Sequence, residues 1–247
     1  MGSGFYAAFS GLAAKTQELD LLASNLANVS TTGYKGQLPF YQELEASPHA
    51  ARLGPLNRAI NDFGILGGAA IDLSNGSVEN TGNDLDVALE GSGFLTAQTQ
   101  AGVRYTRNGS MKIGVNGDLE TQSGDPVLGQ QGPIQIPSGK ISISADGTIS
   151  QNGAVVDKLR IADFPPGTQL AAEGNSYYSA PDGSEQPAAD PRVRQGAIEA
   201  SNLNAVEGTV SLIELQRQME LMQNALTIFH NDFNQPAAQT LPIIQGG

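Results

Sequence analysis

Residues 211–233 read SLIELQRQMELMQNALTIFHNDF, and within them Leu212, Leu215, Met219, Met222, Leu226, Phe229 and Phe233 recur in unbroken steps of three and four. A helix completes a turn every 3.6 residues, so these steps keep one apolar stripe on one side of it. The residues between are largely polar, which predicts an amphipathic helix over three heptads. Leu203, Val206, Val210 and Ile213 lead into the stripe, displaced by one position as a 3.6-residue turn read in sevens requires. Ser201 or Asn202 is the expected N-cap and Pro236 the expected end.

A matching pattern stands at the other end of the chain. Phe5, Leu12, Leu19 and Leu26 lie seven apart, with Phe9, Leu22, Ala23 and Val29 on neighbouring turns. This predicts a second helix over Phe5–Val29, weakened only at Gly11, that stops near Ser30-Thr31-Thr32-Gly33, where a hydroxyl cluster and a glycine suited to positive φ replace helix formers. Neither helix has many ion pairs, so each depends on packing for its stability.

Between the helices the period changes. Asn116-Gly117, Ser123-Gly124, Asp146-Gly147, Asn152-Gly153 and Asp182-Gly183 are turn signals. They separate short strand candidates at Phe94–Gln98, Val103–Thr106, Met111–Val115, Ile134–Ile136, Ile141–Ser144 and Val155–Ile161. Asn116-Gly117-Asp118-Leu119 is echoed by Asp146-Gly147-Thr148-Ile149, which predicts two hairpins of similar make. The expected fold is therefore mainly β with terminal α-helices: an antiparallel β domain inserted between N- and C-terminal helices that pair as a coiled-coil-like bundle. The expected divisions are 1–33 (N-terminal helix), 34–69 (linker), 70–199 (β domain), 200–235 (C-terminal helix) and 236–247 (tail). A two-helix unit buries one seam and leaves Ala8, Leu21, Val210 and Leu221 beside it, so a larger bundle of several copies is expected, as a ring or a helical array if the contact is head to tail.

Composition narrows the chemistry. The 247 residues carry 13 Lys+Arg against 25 Asp+Glu, a formal charge of −12, with 30 Gly, no Cys and two His. Residues 70–199 hold 16 Asp+Glu and 8 Lys+Arg, so about −8 of that charge lies on the β domain. Nucleic acid is not an expected partner, because phosphate backbones are bound by clustered Lys and Arg. Disulfides, thiolate nucleophiles and Cys/His zinc sites are excluded by composition. No apolar run approaches the ~18 residues that a membrane span needs, and the first 20 residues lack the basic start and apolar middle of a cleaved secretion signal. No cofactor, metal site or catalytic set is expected. The rivals are a two-carboxylate hydrolase using Asp84, Asp86 and Glu90 or Asp118 and Glu120, and a calcium-binding adhesin built on Asp/Asn/Gly turns. Carboxylates of an acidic surface more often serve turns, an EF-hand spacing is absent, and an adhesin does not explain helices at both ends. No Ser/His/Asp triad is expected, since His49 lies in the Pro/Gly linker and His230 on the C-terminal helix next to its stripe.

Five segments in order carry a resemblance. Ala23-Ser24-Asn25-Leu26-Ala27-Asn28-Val29-Ser30-Thr31-Thr32-Gly33-Tyr34-Lys35 resembles the N-terminal signature of the bacterial flagellar rod and hook proteins. Thr81 to Leu95, with Gly82, Asp86, Gly91 and Gly93, is similar to that family's approach to its β domain. Tyr105 to Ser110, then Gly132 to Pro137 with Ala145 to Ser150, and Gly196 to Val206 with Ser201 and Asn202, resemble its later signatures. The resemblance implies a non-enzymatic subunit of the basal-body rod, the proximal-rod type fitting better than the distal-rod alternative. It also implies export unfolded through the flagellar type III apparatus, other rod subunits as partners, and a periplasmic basal-body location. The implied subunit interface is the pair of stripes, Phe5, Phe9, Leu12, Leu19, Leu22, Leu26 and Val29 with Leu212 to Phe233.

Overall fold

The computed structural model describes residues 2–42, 65–137 and 139–239. Both terminal helices are there, α1 at Gly2–Ala27 and α2 at Ala205–Gln239. Between them, among the described residues, run seventeen strands: β1 (Gln37–Gln42), β2 (Ile65–Ile71), β3 (Val78–Asn80), β4 (Val87–Leu89), β5 (Phe94–Thr99), β6 (Gly102–Thr106), β7 (Met111–Ile113), β8 (Leu119–Thr121) and β9 (Ile141–Ile143). The remainder are β10 (Thr148–Gln151), β11 (Ala154–Lys158), β12 (Ile161–Asp163), β13 (Ala171–Gly174), β14 (Tyr177–Ser179), β15 (Gln186–Pro187), β16 (Val193–Gln195) and β17 (Ala197–Glu199).

The chain divides into two compact units. One comprises Met1–Ser24, Pro39–Ala69 and Val206–Gly247, so far as these residues are described, and holds most of both helices; the other comprises Asn25–Leu38 and Ala70–Ala205 and is the β unit. The largest sheet of the β unit has six strands in the order β13-β14-β6-β5-β12-β15, beside a three-stranded sheet β11-β10-β9 and the pairs β16-β4, β17-β3 and β7-β8. The described pairings are antiparallel. Two apolar clusters fill the unit. One gathers Leu95, Met111, Leu119, Val127, Ile134, Ile149 and Leu159 among others, and the second gathers Phe94, Tyr105, Ala162, Leu170 and Tyr178. Leu119 and Ile149 are fully buried. Each such side chain stabilises the fold by about 1.5–3 kcal/mol relative to exposure.

The echoed segments do form like hairpins. Between β7 and β8, Gly114 N donates to Asp118 O at 2.8 Å and Gly117 N to Gly114 O at 3.0 Å; between β9 and β10, Ser144 N donates to Thr148 O at 2.9 Å and Gly147 N to Ser144 O at 2.9 Å. In both turns the glycine has positive φ, 84° at Gly117 and 86° at Gly147, and the residue two places after it, Leu119 or Ile149, drops into the core.

Several details differ from the sequence reading. Ile134–Ile136 makes only isolated bridges, because Pro133 and Pro137 remove backbone donors on either side, although both isoleucines are buried. Val155–Ile161 is two strands: β11 pairs with β10 and β12 with β5, so the chain changes sheets at Leu159-Arg160. The stretch read as a linker contains β1 and β2, which pair with each other, while residues 43–64 lie outside the described ones. α2 starts at Ala205 rather than after Ser201 or Asn202, leaving Asn204, with Glu207 three residues on, at the position of a capping box. It also continues through Pro236 to Gln239. A proline removes one rung from a helix, at a cost of roughly 3 kcal/mol, without ending it outright. The tail from residue 240 lies outside the described residues.

Candidate functional site

The chain leaves α1 through the turn Asn28–Ser30 and enters an extended segment whose hydrogen bonds are supplied from distant parts of the β unit. Asn25 is buried and ties this turn: its Oδ1 accepts from Gln37 N at 2.9 Å and from the Tyr34 hydroxyl at 3.2 Å, while its Nδ2 donates to Gln37 O at 2.8 Å. Asn28 Oδ1 accepts from Thr31 Oγ1 at 3.2 Å. Gly33 has φ +65° and donates its N–H to Glu199 O at 2.7 Å. A Cβ there would lie 2.2 Å from the backbone carbonyl carbon of Arg107, so conformation and space both require glycine.

Beside it lies a charged cluster with almost no access to water. Lys35, Arg107 and Glu199 are 1%, 3% and 0% exposed. Glu199 Oε1 accepts from Lys35 Nζ at 2.6 Å and from Gly76 N at 2.9 Å, and its Oε2 accepts from Arg107 Nη1 at 3.1 Å. Lys35 Nζ also donates to Ser74 O at 2.6 Å, and Arg107 Nη2 to Gly91 O at 2.6 Å. The guanidinium stands 5.2 Å from the Phe94 ring centroid, and its Nε is buried without a hydrogen-bond partner. Burial pushes the Lys35 ammonium below its ordinary pKa, against the pull of the Glu199 carboxylate, and lowers Arg107 in the same way. Tyr178, whose hydroxyl accepts from Lys35 N at 2.9 Å, is pushed up to about 12 by burial.

The C-terminal signature closes the cluster from the other side. Asn202 Oδ1 accepts from Gly36 N at 2.8 Å, and its Nδ2 donates to Asp72 O at 3.0 Å and Ser74 Oγ at 3.1 Å. Ser201 is buried and its hydroxyl accepts from Leu203 N at 3.3 Å. These bonds occupy both side chains, which explains why neither caps α2. The remaining motif residues are structural too. Gly82 donates to Gly196 O at 3.1 Å, and Asp86, buried, accepts from Asn83 Nδ2 at 3.0 Å and Ser110 Oγ at 3.2 Å. Gly91 and Gly93 both have positive φ, and Gly91 lends its carbonyl to Arg107. Two further carboxylates of the hydrolase reading are separately engaged: Glu90 pairs with Arg194 at 3.4 Å and Asp118 accepts from Gln135 at 3.1 Å. Among the described residues no group of three or more His, Cys, Asp or Glu is placed to hold a metal. His49 lies outside the described residues, and His230 is on α2 where side chains are not described.

On α2, Leu212, Met219, Met222 and Leu226 are half-buried and Leu215 is buried, while the residues between them are exposed. The stripe is thus the shielded side of the helix. On the opposite side, about 180° around by helical geometry, Val206, Val210, Ile213, Leu221 and Ile228 are exposed, Val206 and Leu221 at 72% and 70%. On α1, Leu12, Leu19, Leu22 and Leu26 are half-buried, as is Val29 just beyond the helix, and the buried positions are Gly11, Ala14 and Asn25. Phe5, Phe9, Phe229 and Phe233 lie on the two helices at residues whose side chains are not described. No described helix is long and apolar enough to cross a membrane.

Three family models match in chain order. One for "Flagella basal body rod protein" covers residues 5–35, one for "Flagellar hook protein FlgE/F/G D1 domain" covers 88–151, and one for "Flagellar basal body rod FlgEFG protein C-terminal" covers 194–235. The chain is 34% identical over 241 residues to the flagellar basal-body rod protein FlgF of Salmonella typhimurium, with 90% of this chain and 93% of that one covered. It is 33% identical over 226 residues to FlgF of Caulobacter vibrioides, covering 89% and 90%, and 30% identical over 241 residues to the rod protein FlgG of Buchnera aphidicola, covering 88% and 92%. The chain belongs to the flagellar basal-body rod protein family. It is a FlgF-like rod protein, with the structural, non-enzymatic role of that family and a place in the basal body.

The rod-family match also gives the charged cluster a sequence address. Lys35, Arg107 and Glu199 fall one each in the three matched spans, so segments far apart in a rod protein's sequence meet at one carboxylate. The sequence reading passed over these three as site residues. A signal was present for Glu199: strand alternation through Ala197-Ile198-Glu199 puts the carboxylate on the same side as Ala197, and both are fully buried while Ile198 is only half so. A large isoleucine beside a glutamate points the pattern the other way, because a carboxylate is almost never fully buried unless paired. No local spacing reveals the cations that pair with it.

Proposed function

We propose that this chain is a structural subunit of the proximal rod that polymerises through its terminal helices to form part of the motor's drive shaft. The two helices pair along Leu12, Leu19, Leu22 and Leu26 and the Leu212 to Phe233 stripe as a coiled-coil-like seam, and neighbouring rod subunits cover what the seam leaves open. The single observation that carries this reading is the doubled apolar character of α2, shielded along one side and exposed along the other at Val206, Val210, Ile213, Leu221 and Ile228. A helix apolar on two opposite sides is suited to the interior of a bundle. The charge distribution supports the same arrangement, since about −8 of the −12 lies between residues 70 and 199 and little on the surfaces that pack together. Export of the unfolded chain through the flagellar apparatus is consistent with a chain that has no Cys.

The absence of native cysteine makes a direct test available. With Ile213→Cys, thiol crosslinking in isolated basal bodies is expected to yield adducts joining this chain to a second rod subunit. A thiol at 213 that reacts freely with a water-soluble maleimide in assembled basal bodies, and gives no adduct, contradicts the reading.

A further inference from the structure

We propose that residues 193–202 are the closing segment of the β unit, and that the junction at residues 33–37 and 74–76 orders only when they bring Glu199 between Lys35 and Arg107. Three observations carry this. Three of the junction's backbone donors are taken up by this one late segment, while Lys35 N bonds to Tyr178 and Gln37 N to Asn25: Gly33 N bonds to Glu199 O at 2.7 Å, Gly36 N to Asn202 Oδ1 at 2.8 Å, and Gly76 N to Glu199 Oε1 at 2.9 Å. Glu199 is, among the described residues, the carboxylate hydrogen-bonded to both buried cations. Asp72 and Asp163 act on Lys35 and Arg107 only from farther off, and they are engaged elsewhere, Asp72 with Ser74 N at 2.9 Å and Asp163 with Ser92 Oγ at 2.6 Å. Finally, the closing contact joins residues 164 apart in the chain, and β16 and β17 pair back onto β4 and β3.

Without Glu199, ordering the junction would seal two cations away from water with no bonded anion, a desolvation cost that exceeds what a few backbone hydrogen bonds return. The β5–β6 hairpin has no such dependence, because its pairing is local. In a chain still lacking its last segment, the sheet can therefore form while the N-terminal junction stays open. The junction acts as a completion check built from charge, and it does so whatever the subunit later assembles with.

The test is pulse-labelled hydrogen exchange during refolding of the unsubstituted full chain. The amides of Gly33, Lys35, Gly36 and Gly76 are expected to gain protection in the last phase, together with residues 193–200 and after Thr96–Thr106. Protection of Gly33–Gly36 with or before the β5–β6 amides overturns the proposal. At equilibrium, Glu199→Gln is expected to speed exchange across residues 33–37 by about a hundredfold or more with β5–β6 amides unchanged. Equal acceleration of both sets overturns it, since Glu199 would then only support global stability. Adding Lys35→Met to Glu199→Gln removes one stranded cation and is expected to recover part of the protection; no recovery contradicts the charge argument. If Glu199→Gln prevents folding, the refolding order of the unsubstituted chain still decides.

Discussion

Leu19→Asp combined with Leu226→Asp is expected to abolish incorporation into rods and to leave the melting transition of the β unit in place. Both leucines are half-buried on their helices, and an unpaired carboxylate taken out of water at either position costs several kcal/mol. Helices of this kind, with few ion pairs, draw their stability from packing rather than from propensity, so loss of the proposed seam is expected to disorder them. Among the described residues, neither apolar cluster of the β unit includes a residue of α1 or α2, so the substitutions leave those clusters intact. The measurement is pelleting of the doubly substituted chain with basal bodies alongside its thermal unfolding by circular dichroism. Motile cells with this variant in their rods contradict the helical seam.

Alkali is the second large effect, and its sign follows from three tyrosines. Burial holds Tyr105, Tyr177 and Tyr178 up at about 12, the first two with the further influence of Glu185 and Asp125 beside their hydroxyls. Below pH 10 these groups are protonated in folded and unfolded chains alike, so they give no pH dependence. As pH rises above 10 the unfolded chain ionises first and the folded one binds more protons, and stability falls until about pH 12. For Tyr178, the most buried of the three, two pH units correspond to roughly 3 kcal/mol. Tyr105 and Tyr177, whose hydroxyls lie nearer the surface, add smaller amounts. The melting temperature of the β unit is therefore expected to drop steeply as pH rises beyond about 10. Phenolate absorbance should show Tyr105, Tyr177 and Tyr178 titrating late. Normal titration of all three before unfolding contradicts the burial assigned to them.

What could be read from the chain divides by the range of the interaction. The helices and turns were legible because their signals are local: the Leu212 to Leu226 stripe coincides with the shielded side of α2, and the glycine of every Asn-Gly, Asp-Gly or Ser-Gly turn signal has positive φ. Two of the strands missed have no alternation to read. Val87–Leu89 is buried at all three positions and Ala171–Gly174 exposed at all four, so neither shows a period of two. The helix start was misplaced because Ser201 and Asn202, good cap residues in isolation, are engaged by residues more than a hundred positions earlier or by the loop itself. The Lys35–Arg107–Glu199 cluster was illegible for the same reason. Each residue is unremarkable beside its neighbours, and only the folded chain brings them together.

A building piece of the rod leaves its mark on the rod when it is missing, and imaging of basal bodies from cells lacking this chain's gene shows whether it does. The expected result is basal bodies in which the rod is absent or stops short and which regain full length when the unsubstituted chain is supplied. Rods of normal length and structure without it contradict that role.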